Sequence, residues 1–128
     1  MKNKFIKYFS LIFFLPFINI ALANDDFIFE SNQIEYKNNN NQIIAKGNVK
    51  ITSSDDVYIY ADESEYFKLT NELFLNGNVK IVDKKKEVII NSNEIQYLKD
   101  EEIINSKGKT TISLEGNYII STSNLKYL

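Results

Sequence analysis

The chain has 128 residues, with 15 basic residues that are all lysine, 17 acidic residues and a formal net charge of −2. It contains no histidine and no cysteine. That excludes Ser–His and Cys–His nucleophile pairs, histidine–thiolate metal sites and a disulfide framework. No concentrated basic surface is present, which argues against nucleic acid as a partner.

At the N-terminus Lys2, Lys4 and Lys7 form a basic segment, residues 8–18 are almost continuously apolar, and Ala21-Leu22-Ala23 supplies the small-x-small pattern of a signal-peptidase site. The apolar run is shorter than the roughly 20 residues that span a bilayer. We therefore expect a secretory signal peptide over residues 1–23, with an uncleaved anchor as the alternative. The expected mature domain, residues 24–128, has 12 lysines against 17 acidic residues. It is large enough for one small core, and its expected location is the periplasm.

From residue 27 onward the chain repeats. Tyr36, Tyr66, Tyr97 and Tyr127 recur at spacings of 30, 31 and 30, and Gly47, Gly77 and Gly108 each stand eleven residues after a tyrosine. Nine residues before the tyrosines stand Phe27, Val57, Val88 and Tyr118; seven before, Phe29, Ile59, Ile90 and Ile120; five before, Ser31, Ala61, Ser92 and Thr122. Periods of this size mark stacked supersecondary units.

Within each unit the period is two, the signature of strands. Ile43, Ala45, Gly47, Val49 and Ile51 share one face of the first glycine strand, and Leu73, Leu75, Gly77, Val79 and Ile81 share one face of the second. The segment leading to each tyrosine changes parity. Ile34, Ile95 and Leu125 lie two before their tyrosines, with Ser64 in that place in the second unit, and polar Asn32, Asp62, Asn93 and Ser123 stand where the phase slips. Such a slip implies a bulge or corner. Residues 38–41, 83–86 and 99–102 read as turns. Glycine within an apolar strand face marks a bend or a close approach, so Gly47 and Gly77 are expected to tolerate substitution poorly. The third unit departs from the others at Thr110, and the fourth stops one residue after its tyrosine. Its edge is expected to pair with a neighbour, or else the chain is the front of a longer protein.

The glycine strands Ala45-Lys46-Gly47-Asn48-Val49-Lys50-Ile51 and Leu75-Asn76-Gly77-Asn78-Val79-Lys80-Ile81, with the segment Ile59-Tyr60-Ala61-Asp62-Glu63-Ser64-Glu65-Tyr66, resemble the OstA-like (LptA) family of periplasmic lipopolysaccharide-transport domains. Its members are stand-alone bridge proteins or the N-terminal domain of a larger outer-membrane assembly protein. The resemblance implies an all-β fold, a twisted open β-jellyroll built from two-strand repeats. It also implies an apolar groove for the acyl chains of lipopolysaccharide. The implied partners are lipopolysaccharide, other OstA-like proteins or a second copy through edge-strand pairing, and the outer-membrane assembly complex. No cofactor and no enzymatic activity are implied.

The groove-facing candidates are Phe29, Ile34, Tyr36, Ile43 and Val49; Ile51, Ile59, Tyr66, Leu73 and Leu75; and Val79, Ile81, Ile90, Tyr97 and Ile112. Periodicity alone favours a dry packed core, because buried apolar stripes are ordinarily packing, and the resemblance reverses that preference. A secreted β-solenoid stalk or adhesin segment without a ligand is the competing class, although the parity slip disfavours a plain solenoid. A membrane barrel is disfavoured by the Lys, Glu and Asn of the second face. The carboxylates at residues 55–56, 62–65 and 100–102 read as solvated charge. Lys84-Lys85-Lys86 is a candidate contact for a lipid phosphate or simply a soluble turn.

Overall fold

The period of two becomes nine strands in the computed structural model, which describes residues 19–23 and 27–127, with side chains from residue 27 to 126. In chain order they are β1 (Asn19–Ala23), β2 (Phe27–Ser31), β3 (Gln33–Lys37), β4 (Gln42–Ser53), β5 (Val57–Phe67), β6 (Glu72–Asp83), β7 (Val88–Leu98), β8 (Ile103–Leu114) and β9 (Tyr118–Tyr127). They form one antiparallel sheet that follows chain order, with β2 and β3 end to end along β4. The sheet stays open, since β1 and β9 are its two ends. No helix occurs among the described residues, and so none is long and apolar enough to cross a membrane. The basic and apolar segments of the expected leader lie outside the described residues. Its last residues, Asn19–Ala23, form β1, with Ala23 opposite Phe27.

Each strand from β4 to β8 is bent, and the bends lie in line. Between Lys46 and Val49 of β4, the pair Gly47-Asn48 stands against the single residue Asp62 of β5. Gly77-Asn78 stands in the same way against Asn93 of β7, and Gly108-Lys109 against Ser123 of β9. The parity slip read in the tyrosine strands thus has its extra residue in the glycine strands, as a bulge. In β5 the buried positions run Ile59 and Ala61, then Ser64 and Tyr66. The two residues between Ala61 and Ser64 thus lie against the three between Ala45 and Val49 in β4. The first tyrosine segment is broken at the corner into β2 and β3, where the Asn32 N–H donates to the Gly47 carbonyl at 2.9 Å.

Gly47 and Gly77 adopt φ of +76° and +78°, a region open to glycine at no steric cost. Their faces are also covered. A Cβ on Gly47 would lie 3.2 Å from the Asn32 Cβ, and one on Gly77 would lie 2.9 Å from the Asp62 Cβ. The polar corner residue of one strand therefore occupies the space above the glycine of the next. Asn78 holds it there, donating from Nδ2 to the Asp62 carboxylate at 2.9 Å.

Bending along this line folds the sheet on itself as two leaves. One leaf ends in the turns at residues 54–56, 84–87 and 115–117, the other in those at 38–41, 68–71 and 99–102. Asp83 closes β6, so that turn begins one residue later than expected. Phe27 and Phe29 of the first leaf meet Tyr66 of the second, with ring centroids 5.3 and 5.7 Å apart. Each fully buried side chain of this kind contributes roughly 1.5–3 kcal/mol. A single two-stranded unit lacks the second face that makes this burial possible.

The departure at Thr110 now has a physical account. Thr110, fully buried, takes the place held by Val49 and Val79 in the other glycine strands. Its hydroxyl oxygen lies 2.7 Å from Ser106 Oγ and 2.9 Å from Ser92 Oγ, and it donates to the Gly108 carbonyl at 3.0 Å. Ser106 Oγ in turn accepts the Leu125 N–H at 3.0 Å. Ser64, which holds the place of Leu125 in the second unit, has a buried hydroxyl with no hydrogen-bond partner among the described residues. We predict that Thr110→Val destabilises the domain by about 1–3 kcal/mol, because it removes the hydroxyl that Ser106 Oγ and Ser92 Oγ both contact and leaves the buried Ser106 hydroxyl with the Leu125 N–H alone, although valine is the residue of the other two units. A melting temperature at or above that of the wild type would refute this.

Candidate functional site

Between the leaves the interior is solid at one end and hollow further along. Phe27, Phe29 and Tyr66 are at most 1% exposed. Beyond them lies a cavity of about 290 Å3. Val57, Ile59, Ile81, Val88 and Ile90 line it from the first leaf, and Tyr97 and Ile104 from the second. Its rim is charged. Asp55, Lys85 and Lys86 come from the turns of the first leaf, Asp83 from the end of β6, and Glu102 from a turn of the second leaf. The cavity therefore opens along the gap between the two rows of turns. Its size is near the lower end for small-molecule sites, about 300–1,000 Å3, and an apolar lining with few polar groups is typical of them.

Of the fifteen groove candidates, Ile59, Ile81, Ile90 and Tyr97 line this cavity. Phe29, Ile43, Val49, Ile51, Tyr66, Leu73, Leu75, Val79 and Ile112 are buried in the core around it, and Ile34 is packed against that core. Tyr36 stands on β3 and is 48% exposed. It faces inward on a strand that pairs only with β4 among the described residues. Val57, Val88 and Ile104 were not among the candidates. Their registers carried the signal, since Val57 and Val88 share the place of Phe27, and Ile104 shares that of Ile43 and Leu73.

Burial first, and then the negative charges of Glu102, Asp55 and Asp83, push the Tyr97 phenol above its ordinary value of 10.0. From about pH 10 upward the unfolded chain loses this proton while the folded one keeps it, so stability falls as pH rises through that window. Tyr97→Phe is expected to melt with a shallower pH dependence above about pH 10. Equal slopes for the two proteins would contradict the assignment.

A larger hollow of about 540 Å3 lies on the outer face of the second leaf. Ile44, Phe74, Leu75 and Ile95 line it together with Glu35, Lys46, Glu63, Glu65, Glu94 and Lys107, so a hydrocarbon chain lying there would desolvate several charged groups. At the end of the sheet β9 pairs with β8 alone, and Tyr118, Ile119 and Ile120 are 67%, 74% and 49% exposed. An unpaired strand edge of this kind is a template for another strand.

A family model described as OstA-like protein matches residues 16–128. The chain belongs to the OstA-like family. No curated protein matches it. The OstA-like match takes in every repeat and thus both the hollow interior and the open edge at β9.

Proposed function

We propose that this OstA-like chain is a non-catalytic lipid carrier of the periplasm that takes part in lipopolysaccharide transport and outer-membrane assembly. The observation that carries the reading is the apolar cavity between the two leaves, opening beside Lys85 and Lys86. Acyl chains would lie among the isoleucines and valines, and the phosphates of the head group would meet the lysines at the rim. The basic, apolar and small-x-small segments of residues 1–23 support export.

The exposed apolar side chains of β9 support strand addition by a second copy or another OstA-like protein, which would extend the groove from one domain to the next. Cleavage after Ala23 would remove β1 and leave β2 as the opposite edge. The test is displacement of a fluorescent fatty-acid analogue from the purified mature domain by lipopolysaccharide, together with co-purification of lipopolysaccharide from cells. Displacement is expected. A folded domain that binds neither the analogue nor lipopolysaccharide would leave the ligand-free stalk as the better reading.

A further inference from the structure

The outer face of the first leaf carries a second apolar row. Ile28, Tyr58, Val82, Ile89 and Ile119 lie in cross-strand register from β2 to β9, interrupted only by Thr52 and Ser113. A solvated sheet face alternates to polar side chains at such positions. Here Ile28 is 41% exposed and Ile119 74%. The charge around the row is basic. The neighbouring row begins Glu30, Lys50, Tyr60, Lys80, and Glu30 is already matched by Lys50 at 3.7 Å. Lys84 leans back over the same face, its ammonium 4.4 Å from the centre of the Tyr58 ring. Asp55 and Asp83 of this edge turn instead toward the cavity. The hollow on the outer face of the second leaf is bordered by four glutamates against three lysines. Residues 24–128 as a whole have 12 lysines against 17 acidic residues. A basic apolar face on an acidic domain selects an anionic partner with an apolar layer beneath its charge.

We propose that the outer face of the first leaf docks on an anionic phospholipid surface. The isoleucines and valine enter the layer beneath the head groups, and the tyrosine rings lie at head-group level with their hydroxyls in water. Lys50, Lys80 and Lys84 meet the lipid phosphates. The row lies next to the turns at residues 54–56 and 84–87, whose Asp55, Lys85 and Lys86 border the cavity. Docking therefore sets the cavity mouth beside the lipid. The proposal stands independently of what the cavity carries, and strand addition at β9 leaves the face free.

The experiment is co-sedimentation of the mature domain with vesicles of phosphatidylethanolamine and phosphatidylglycerol, and with vesicles of phosphatidylcholine alone. Binding to the anionic vesicles is expected, weakened by salt, with little binding to phosphatidylcholine. Lys80→Gln together with Lys84→Gln is expected to weaken it about 25-fold, at about fivefold per lysine. Ile28→Ser, which gives up an exposed apolar side chain, is expected to weaken it about threefold or more. Lys46→Gln with Lys107→Gln removes the same charge from the outer face of the second leaf and is expected to change binding less than about twofold. Far-UV circular dichroism establishes that each variant is folded. Equal losses in the two double variants would overturn the proposal, because the contact would then follow net charge and not this face. A folded wild-type domain that ignores anionic vesicles would overturn it as well, and dimerisation lost in Ile28→Ser would then give the face to a second copy. Neither Lys80 nor Lys84 lines the cavity, so displacement of the fluorescent fatty-acid analogue is expected to be unchanged in their double variant and tests the carrier reading separately.

Discussion

Gly77→Val is expected to lower the stability of the domain by about 2–5 kcal/mol. The backbone supplies the first part, since a left-handed conformation costs an L-residue about 1–2 kcal/mol, more when it is β-branched. Steric overlap supplies the second, with Asp62 Cβ only 2.9 Å from the new atom; overpacking of this kind costs about 1–3 kcal/mol. Displacing Asp62 also breaks its hydrogen bond from Asn78. The control is Gly116→Val in the last turn, where φ is +69° and a Cβ would meet nothing within 4 Å. That variant bears the backbone cost alone. In thermal melts of a domain this size, Gly77→Val should lose about 10–20 °C, and Gly116→Val less than half of that. Equal losses would mean that the corner packing contributes nothing.

Tyr66→Ala is expected to be at least as damaging, at about 3–5 kcal/mol, the usual cost of deleting a buried aromatic ring. Tyr66 is fully buried and contacts Phe27 and Phe29 of the facing leaf. Its removal therefore acts between the leaves rather than within one hairpin. Tyr66→Phe keeps the ring and removes the hydroxyl that donates to Asn71, a hydrogen bond worth about 1 kcal/mol. The difference between the two variants in urea midpoint isolates the contact between the leaves. If both variants unfolded at the same midpoint, the ring would not be holding the leaves together.

Much of this architecture is legible in the sequence because a half-buried strand cannot hide its parity. Ile59 and Ala61 followed by Ser64 and Tyr66 disclose a corner before any coordinate is known. What the sequence does not disclose is which strand carries the extra residue. Both members of a bulged pair show a disturbed pattern, and only the pairing of Lys46 with Glu63 and of Val49 with Ala61 assigns it to Gly47-Asn48. The site is less legible than the fold. An isoleucine against a hollow and an isoleucine against a ring obey the same periodicity, so Ile59 beside the cavity and Ile51 in solid core look alike. Phe27, Tyr66 and Tyr97 come from three strands far apart in sequence, and no local pattern brings Phe27 to Tyr97. Thr110 reads as a defect in the repeat until Ser92 and Ser106 are placed beside it.

The strand order has a consequence for how the chain acquires its shape. Nearly every pairing joins strands that are neighbours in sequence, through turns of three or four residues. All-β folds are slow to form when their pairings are distant, because long loops must close before any contact rewards them. Here each new hairpin docks on the one before it, so closure entropy stays small at every step. A chain emerging N-terminus first through a narrow pore could set down its sheet strand by strand, without waiting for its last residues to arrive. The Phe27–Tyr66 contact would form as soon as β5 was through, giving the growing sheet an early anchor on which the later units assemble.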